Sequence, residues 1–521
     1  MRMLSRIVIV ACVVAVLPTA VSGAESGVEA LVAEASVADL QELMADGTLT
    51  SEAITVALIG RIERLDGALR SILAVNPEAV AQARTLDAER REGTVRGPLH
   101  GIPVLLKDNI ESADPLPTTA GSLVLATNIT GRDAGLVGRL RAAGAVVLGK
   151  TNLSEWANFR SERSSSGWSA VGGQTRNPYD PARSPCGSSS GSGAAVAAGF
   201  APAAVGTETD GSIVCPATAT GLVGIKPTVG LVSRFGIVPI SHTQDTAGPM
   251  ARTVADAVAL LEVMIGTDPR DPATELAARA ADWSLASHLR PDGLQGKRLG
   301  VLRSHAGFHE GVNALLDRAI ADLEAAGATV VDGLELTGPE GVDDAEYRVL
   351  LVEFRHDLDA YLAGLPGADR LPATSLEALI AFNERHASVE MPWFGQDVFL
   401  KSRDAGSLDD EAYRQALELS RDGSRRAIDG LLAEHDLDAL VAPTGSPAWT
   451  IDPVNGDHFL GGSSSYPARA GYPNVTVPMG EVHGLPVGVS FFATALAEPT
   501  LVEIASAYEQ ATQRRRPPRL E

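Results

Sequence analysis

The chain is short of cysteine, aromatic residues and lysine. Only 3 of its 521 residues are Cys, aromatics make up 4%, and Lys occurs at five positions (107, 150, 226, 297 and 401). Three cysteines exclude a disulfide scaffold and any multi-Cys zinc or iron–sulfur cage. Positive charge is scarce as a whole: 43 Lys+Arg stand against 65 Asp+Glu, a net charge of -22 with a pI near 4.9. Nothing offers a basic stripe to phosphates, which excludes nucleic acid as a partner. Long apolar runs are missing too. The run Ile7 to Leu17 has 11 residues, and no later stretch approaches the ~20 needed to span a bilayer. Hydrophobic residues at 45% and charged residues at 21% exclude a disordered chain. What remains is a large, acidic globular protein.

Residues 1–24 read as an export signal. Arg2 and Arg6 give the positive start, Ile7 to Leu17 the apolar run, and Ser22-Gly23-Ala24 the small residues for cleavage. The expected protein is exported to the periplasm or beyond, with no stable membrane insertion once the signal is removed. Residues 25–90 read as helical, with Ile54, Leu58, Ile62 and Leu65 forming one stripe after Ser51-Glu52. A strand signal follows at Gly101 to Leu106, a helix at Gly138 to Ala143 and a strand at Ala145 to Leu148. The alternation returns late, with a strand at Arg298–Leu302, a helix at Val312–Ala325 and a strand at Ala328–Val331. This pattern predicts an α/β sheet covered by helices on both faces. Between 161 and 250 Ser, Gly, Thr and Pro dominate, yet apolar pieces interleave throughout, as in a backbone-rich active-site region. The charged, helical stretch 335–425 reads as an insertion covering one side of a single compact domain spanning 25–521.

Metal and dinucleotide chemistry find no motif. The histidines never form H-E-x-x-H, and the one i,i+4 pair, His305/His309, reads as surface. Gly187 to Gly193 lacks both the G-x-G-x-x-G spacing and a Walker lysine. Neither metal nor cofactor is expected. Serine chemistry has better candidates. Gly187-Ser188-Ser189-Ser190-Gly191 satisfies G-x-S-x-G, but Asn177 to Pro185 before it carries three prolines and cannot be the strand that a nucleophile elbow requires. No Ser stands three residues before any Lys, so S-x-x-K is absent. Lys107, Lys150 and Lys226 each follow an apolar run, where burial can strip a lysine of its proton and make it a base. Spacing does not choose among the three. Gly206-Thr-Glu-Thr-Asp-Gly-Ser-Ile213 is a loop able to aim consecutive backbone N–H groups at one point.

Taken together, the segments resemble the amidase signature family of serine hydrolases. The matching pieces are Gly101 to Asp108, Gly149 to Asn152, Pro185 to Gly199, Gly206 to Ala217, Gly221 to Thr228, Gly248 to Val254, Ala470 to Pro478 and Gly484 to Phe492. Within the family, Ser184 to Gly193, Thr207 to Ser212 and Met391 to Gln396 are most similar to bacterial peptide amidases. The resemblance implies a large mixed twisted β-sheet between helical layers. It implies Ser212 as nucleophile, Ser188 as a bridging serine held by a cis peptide, and Lys107 as general base. It further implies an oxyanion hole from the N–H groups of Thr209, Asp210, Gly211 and Ser212, and structural roles for Lys150 and Lys226. Ser190 and Asp210 stand where many members carry Gly, a departure shared with the peptide-amidase branch.

The expected activity is hydrolysis of carboxamides to carboxylate and ammonia, on small-molecule or peptide amides, with C-terminal peptide amides favoured and no obligatory protein partner. The alternatives are a broad aliphatic or aryl amidase, an esterase, or, from another class, a two-lobed periplasmic peptide-binding protein without catalysis. Cys186 and Cys215 flank the implied serines. Export permits a bond between them, but the expectation is two buried thiols.

Overall fold

The computed structural model describes residues 21–520. The charged start and apolar run of the export signal lie outside the described residues. Eleven strands form one mixed sheet: β1 (Ile72–Val75), β2 (Pro103–Lys107), β3 (Val146–Thr151), β4 (Ala203–Glu208), β5 (Val223–Lys226), β6 (Thr246–Ala251), β7 (Arg298–Leu302), β8 (Thr329–Leu334), β9 (Ala439–Pro443), β10 (Asn474–Val482) and β11 (Leu485–Phe492). Their order is β1-β3-β2-β4-β6-β5-β10-β11-β9-β7-β8. The β3-β2-β4 and β9-β7-β8 runs are parallel and the remaining pairings antiparallel. Every residue of β2 to β6, β9 and β11 is buried, which requires cover on both faces and explains their apolar runs. The edges, β1 and β8, have no buried residue, while β7 and β10 are exposed in part only near one end.

The α/β expectation holds, with two adjustments. The stripe from Ser51 is the helix Ser51–Leu69, capped by Thr50, but 25–90 is not helical throughout. Arg70 turns left-handed at the helix end and β1 follows, pairing with β3. Four residues are too few for a period-2 signal to stand against the helices around them. Lys107 also belongs to β2 rather than following it.

The helix Ser190–Ala197 lies against β2, β3, β4 and β6. Its composition, Ser-Gly-Ser-Gly-Ala-Ala-Val-Ala, is what permits that approach. A Cβ on Gly191 would stand 2.4 Å from the carbonyl oxygens of both Asn152 and Ser71. Helices Val342–Ala363, Leu376–Arg385 and Asp397–Arg403 form a roof. Phe354, Leu358, Leu379 and Phe399 of this roof share an apolar cluster with Val124, Leu125, Trp156, Val238 and Ile240 from loops at the sheet edge. Among the described residues no helix is long and apolar enough to cross a membrane.

Candidate active site

Parallel neighbours end at the same edge of a sheet, where the loops leaving them converge. β2 and β4 are such neighbours, Leu106 lying opposite Val205, so Lys107 meets the chain leaving β4. Its Nζ donates to Ser188 Oγ at 2.8 Å, Thr207 Oγ1 at 2.8 Å and the Thr207 carbonyl at 3.2 Å. The side chain is fully buried. Burial penalises the ammonium and pushes Lys107 down to about 7, against the opposing charges of Asp245 and Glu208.

Ser188 sits in the turn before the helix Ser190–Ala197, after a cis Gly187–Ser188 peptide. Its carbonyl accepts from Ser154 N–H at 3.1 Å. The neighbouring Ser189, the middle of G-x-S-x-G, is buried: its Oγ donates to the Thr207 carbonyl and accepts from Thr207 N–H, at 3.1 and 3.2 Å. Ser189 is therefore a backbone staple onto the end of β4. The elbow reading falls.

Ser212 is brought to Ser188 through the backbone. Ser189 N–H donates to the Ser212 carbonyl at 3.2 Å, and a Cys186–Cys215 disulfide with Cα atoms 6.0 Å apart joins the two segments. The expectation of two free thiols was wrong. The cysteines are 29 positions apart in sequence, and the return of the chain along β4 brings them within the bonding range of about 4.4–6.8 Å. The Ser212 hydroxyl forms no hydrogen bond with another described residue. At 8% exposure it is more accessible than Lys107 or Ser188, both at 0%.

The loop between β4 and Ser212 distributes its donors unevenly. Glu208 Oε2 accepts from Ile213 N–H at 2.7 Å and Val214 N–H at 3.0 Å, occupying the amides at the start of the next helix. The N–H groups of Thr209, Asp210, Gly211 and Ser212 donate to no acceptor among the described residues. Gly211 adopts φ +76°, a left-handed conformation that glycine takes without strain. Four adjacent free donors beside a hydroxyl can stabilise negative charge on a carbonyl oxygen.

The other two lysines differ in their partners. Lys150 Nζ donates to the Ile110 carbonyl and Thr118 Oγ1, with Asp108 at 3.8 Å. Lys226 Nζ donates to the carbonyls of Tyr472, Pro467 and Pro227. His309 Nδ1 accepts from Gly311 N–H, capping a helix, and His305 lies edge-on to Tyr466. Among the described residues one trio, His242, Glu353 and Asp357, gathers ligand-type atoms within 4.8 Å. Glu353 there accepts from Ser241, Thr243 and Tyr413, and His242 pairs with Asp357, so the trio ties a loop to the roof. A cavity of about 490 Å³ opens beside Thr207 and Thr209, walled by Phe235, Ile237, Ile240 and Tyr361.

Comparison with known proteins gives the family. The family model described as Amidase matches residues 53–502. The chain belongs to the amidase family. The peptide amidase of Stenotrophomonas maltophilia is 51% identical, with a TM-score of 0.88 over 94% of this amidase chain and 99% of its own. A peptide amidase in complex with the competitive inhibitor chymostatin is 52% identical, with a TM-score of 0.89 over 93% and 99%. A relative from Arabidopsis thaliana, named a probable amidase, is 42% identical over 496 residues, covering 93% of this chain and 91% of its own. The protein is an amidase-signature hydrolase acting on carboxamides, and the binding-protein reading falls with its two lobes, since one continuous sheet forms the core.

Sequence reasoning missed several residues around this amidase site. Thr207 and Glu208 lie inside the motif already singled out, but their roles are set by side-chain direction, which a motif does not carry. Asn109 donates to Thr207 Oγ1 at 3.0 Å. Gln244 and Asp245 bind the Thr209 carbonyl and hydroxyl. They lie in the polar run Ser241 to Thr246, which leads into β6 and singles out neither.

Proposed function

We propose that the protein is an exported amidase that removes ammonia from C-terminal peptide amides through Lys107, Ser188 and Ser212. The observation that carries this reading is the 2.8 Å hydrogen bond between Lys107 Nζ and Ser188 Oγ, next to Ser189, whose N–H donates to the carbonyl of Ser212. Neutral Lys107 takes the proton of Ser188, which takes that of Ser212, and Ser212 Oγ attacks the amide carbonyl. The carbonyl oxygen becomes an oxyanion facing the N–H groups of 209–212. As the tetrahedral centre collapses, Lys107 returns its proton through Ser188 to the nitrogen, and ammonia leaves. Water then attacks the acyl ester and passes a proton to Lys107 by the same route; Lys107 returns it to the departing Ser212 Oγ, and the acid leaves as carboxylate after losing its proton to solvent.

An ordinary lysine is neutral in only about one molecule in 2,500 at pH 7, a cost of roughly 4–5 kcal/mol. With the Lys107 value near 7, about half of the molecules hold it neutral at that pH, and most of the cost vanishes. Support for peptide amides comes from the relatives at 51% and 52% identity, both peptide amidases. A broad aliphatic or aryl amidase, or an esterase, uses the same chemistry. Support for export comes from residues 1–24 and from the disulfide, which an oxidising compartment sustains.

A fluorophosphonate probe is expected to label Ser212, located by mass spectrometry, and to leave Ser212→Ala unlabelled. Ammonia release from peptide amides, small amides and internal peptide bonds then ranks the substrates. Cleavage of small amides alone rejects the peptide claim. N-terminal sequencing of secreted protein tests removal of residues 1–24.

A further inference from the structure

Gln244 and Asp245, immediately before β6, hold Thr209 from both sides. Thr209 Oγ1 donates to Asp245 Oδ1 at 2.6 Å, and Gln244 Nε2 donates to the Thr209 carbonyl at 3.3 Å. The same Nε2 donates to Glu346 Oε1 at 2.9 Å, while Glu346 Oε2 accepts from Arg469 Nε at 2.7 Å. Gln244 and Glu346 are both buried. Two acceptors at one nitrogen fix which end of the Gln244 amide faces the loop, because only its NH₂ donates. A trans peptide points its C=O and N–H in opposite directions. The N–H opposite the Thr209 carbonyl belongs to Asp210, one of the four free donors. Pinning that carbonyl sets the plane in which the Asp210 N–H points.

We propose that Gln244, oriented by Glu346, is a positioning residue for the oxyanion hole, so that the roof helix Val342–Ala363 contributes to catalysis through one glutamine. This rests on the roles proposed for residues 209–212. Arg469 holds Glu346 in place, and Asp343 holds Arg469 from its far side.

The test separates transition-state from ground-state effects. Gln244→Met keeps length and removes the donor. Its kcat is expected to fall about tenfold, less than the 10²–10³ lost with a whole oxyanion-hole donor, and KM to stay within about twofold. A peptide aldehyde adds reversibly to the Ser212 hydroxyl, its carbonyl oxygen taking the place of the oxyanion and the serine proton passing to Lys107. Its affinity is expected to fall by the same factor as kcat. The matching peptide alcohol, which has no carbonyl for the hole, is expected to bind unchanged. Glu346→Gln retains an acceptor for Gln244 and is expected to keep at least half of kcat, whereas Glu346→Leu reproduces the Gln244→Met loss. Gln244→Asn, one methylene shorter, substitutes should Gln244→Met not fold. Unchanged kcat and aldehyde affinity overturn the proposal, as does an equal loss for aldehyde and alcohol. Full activity in Lys107→Met overturns the site reading itself; loss there with full activity in Gln244→Met overturns only this inference.

Discussion

The ends of β2 and β5 make an instructive pair. Each closes on a fully buried lysine, and burial pushes both down, Lys107 to about 7 and Lys226 to about 8. By proton affinity alone either could serve as a base. Their surroundings differ in kind. Lys226 donates to the carbonyls of Tyr472, Pro467 and Pro227, acceptors that have no proton to give back. Lys107 faces the hydroxyls of Ser188 and Thr207, which both accept and donate. A depressed lysine becomes a base only where its partner can hand over a proton.

The strongest way to break this contrast is to remove either end of the relay. Ser212→Ala is expected to lower kcat on the order of a millionfold, as for other serine nucleophiles. Lys107→Met is expected to lose about 10²–10⁴, the usual share of a general base. Steady-state hydrolysis of a peptide amide measures both. Activity in Lys107→Met equal to that of the parent protein removes the distinction between the two strand ends.

The pH profile sharpens it. In the proposed mechanism the working form is the neutral amine, so activity is expected to be absent well below the pKa and to appear as pH rises through it. With Lys107 near 7, kcat/KM is expected to climb about tenfold per pH unit up to pH 6 and to level off above about pH 8. Lys107→Met is expected to flatten that limb, and Lys226→Met to leave it in place. A limb that persists in Lys107→Met assigns it to another group.

Stability measurements give the smaller effects. The Cys186–Cys215 bond closes a loop with a separation of 29 residues, and its removal by paired Cys→Ser changes is expected to cost about 3–4 kcal/mol in denaturant unfolding. No such bond ties the end of β5. Lys226→Met is expected to cost about 1–3 kcal/mol through carbonyls left without a donor, with kcat within about twofold of the parent. A large loss of kcat in folded Lys226→Met contradicts a purely structural role.

The fold was legible where the chain repeats a period. Ile54, Leu58 and Ile62 marked a helix, and the runs before Lys107 and Lys150 marked buried strands. β1 escaped because four residues between helices hold too little pattern. In the site, the serine and glycine motifs located the loops but not the direction of any side chain. Ser189, placed by a formal motif at a nucleophile elbow, is a staple. Gln244 and Asp245, which match no motif of their own, hold Thr209 in the loop after β4. The two cysteines sat in plain view, yet their distance depended on how β4 turns the chain back.

The all-small helix Ser190–Ala197 has a consequence for how this enzyme can change. With two carbonyl oxygens already waiting where a Gly191 side chain would begin, the floor beneath the reacting atoms admits almost no drift in residue size. New substrate preference is expected to be written into the ceiling instead, and a directed-evolution library confined to the cavity-facing positions Ala360, Tyr361 and Gly364 samples it while sparing Glu346 and the buried cluster of Phe354 and Leu358.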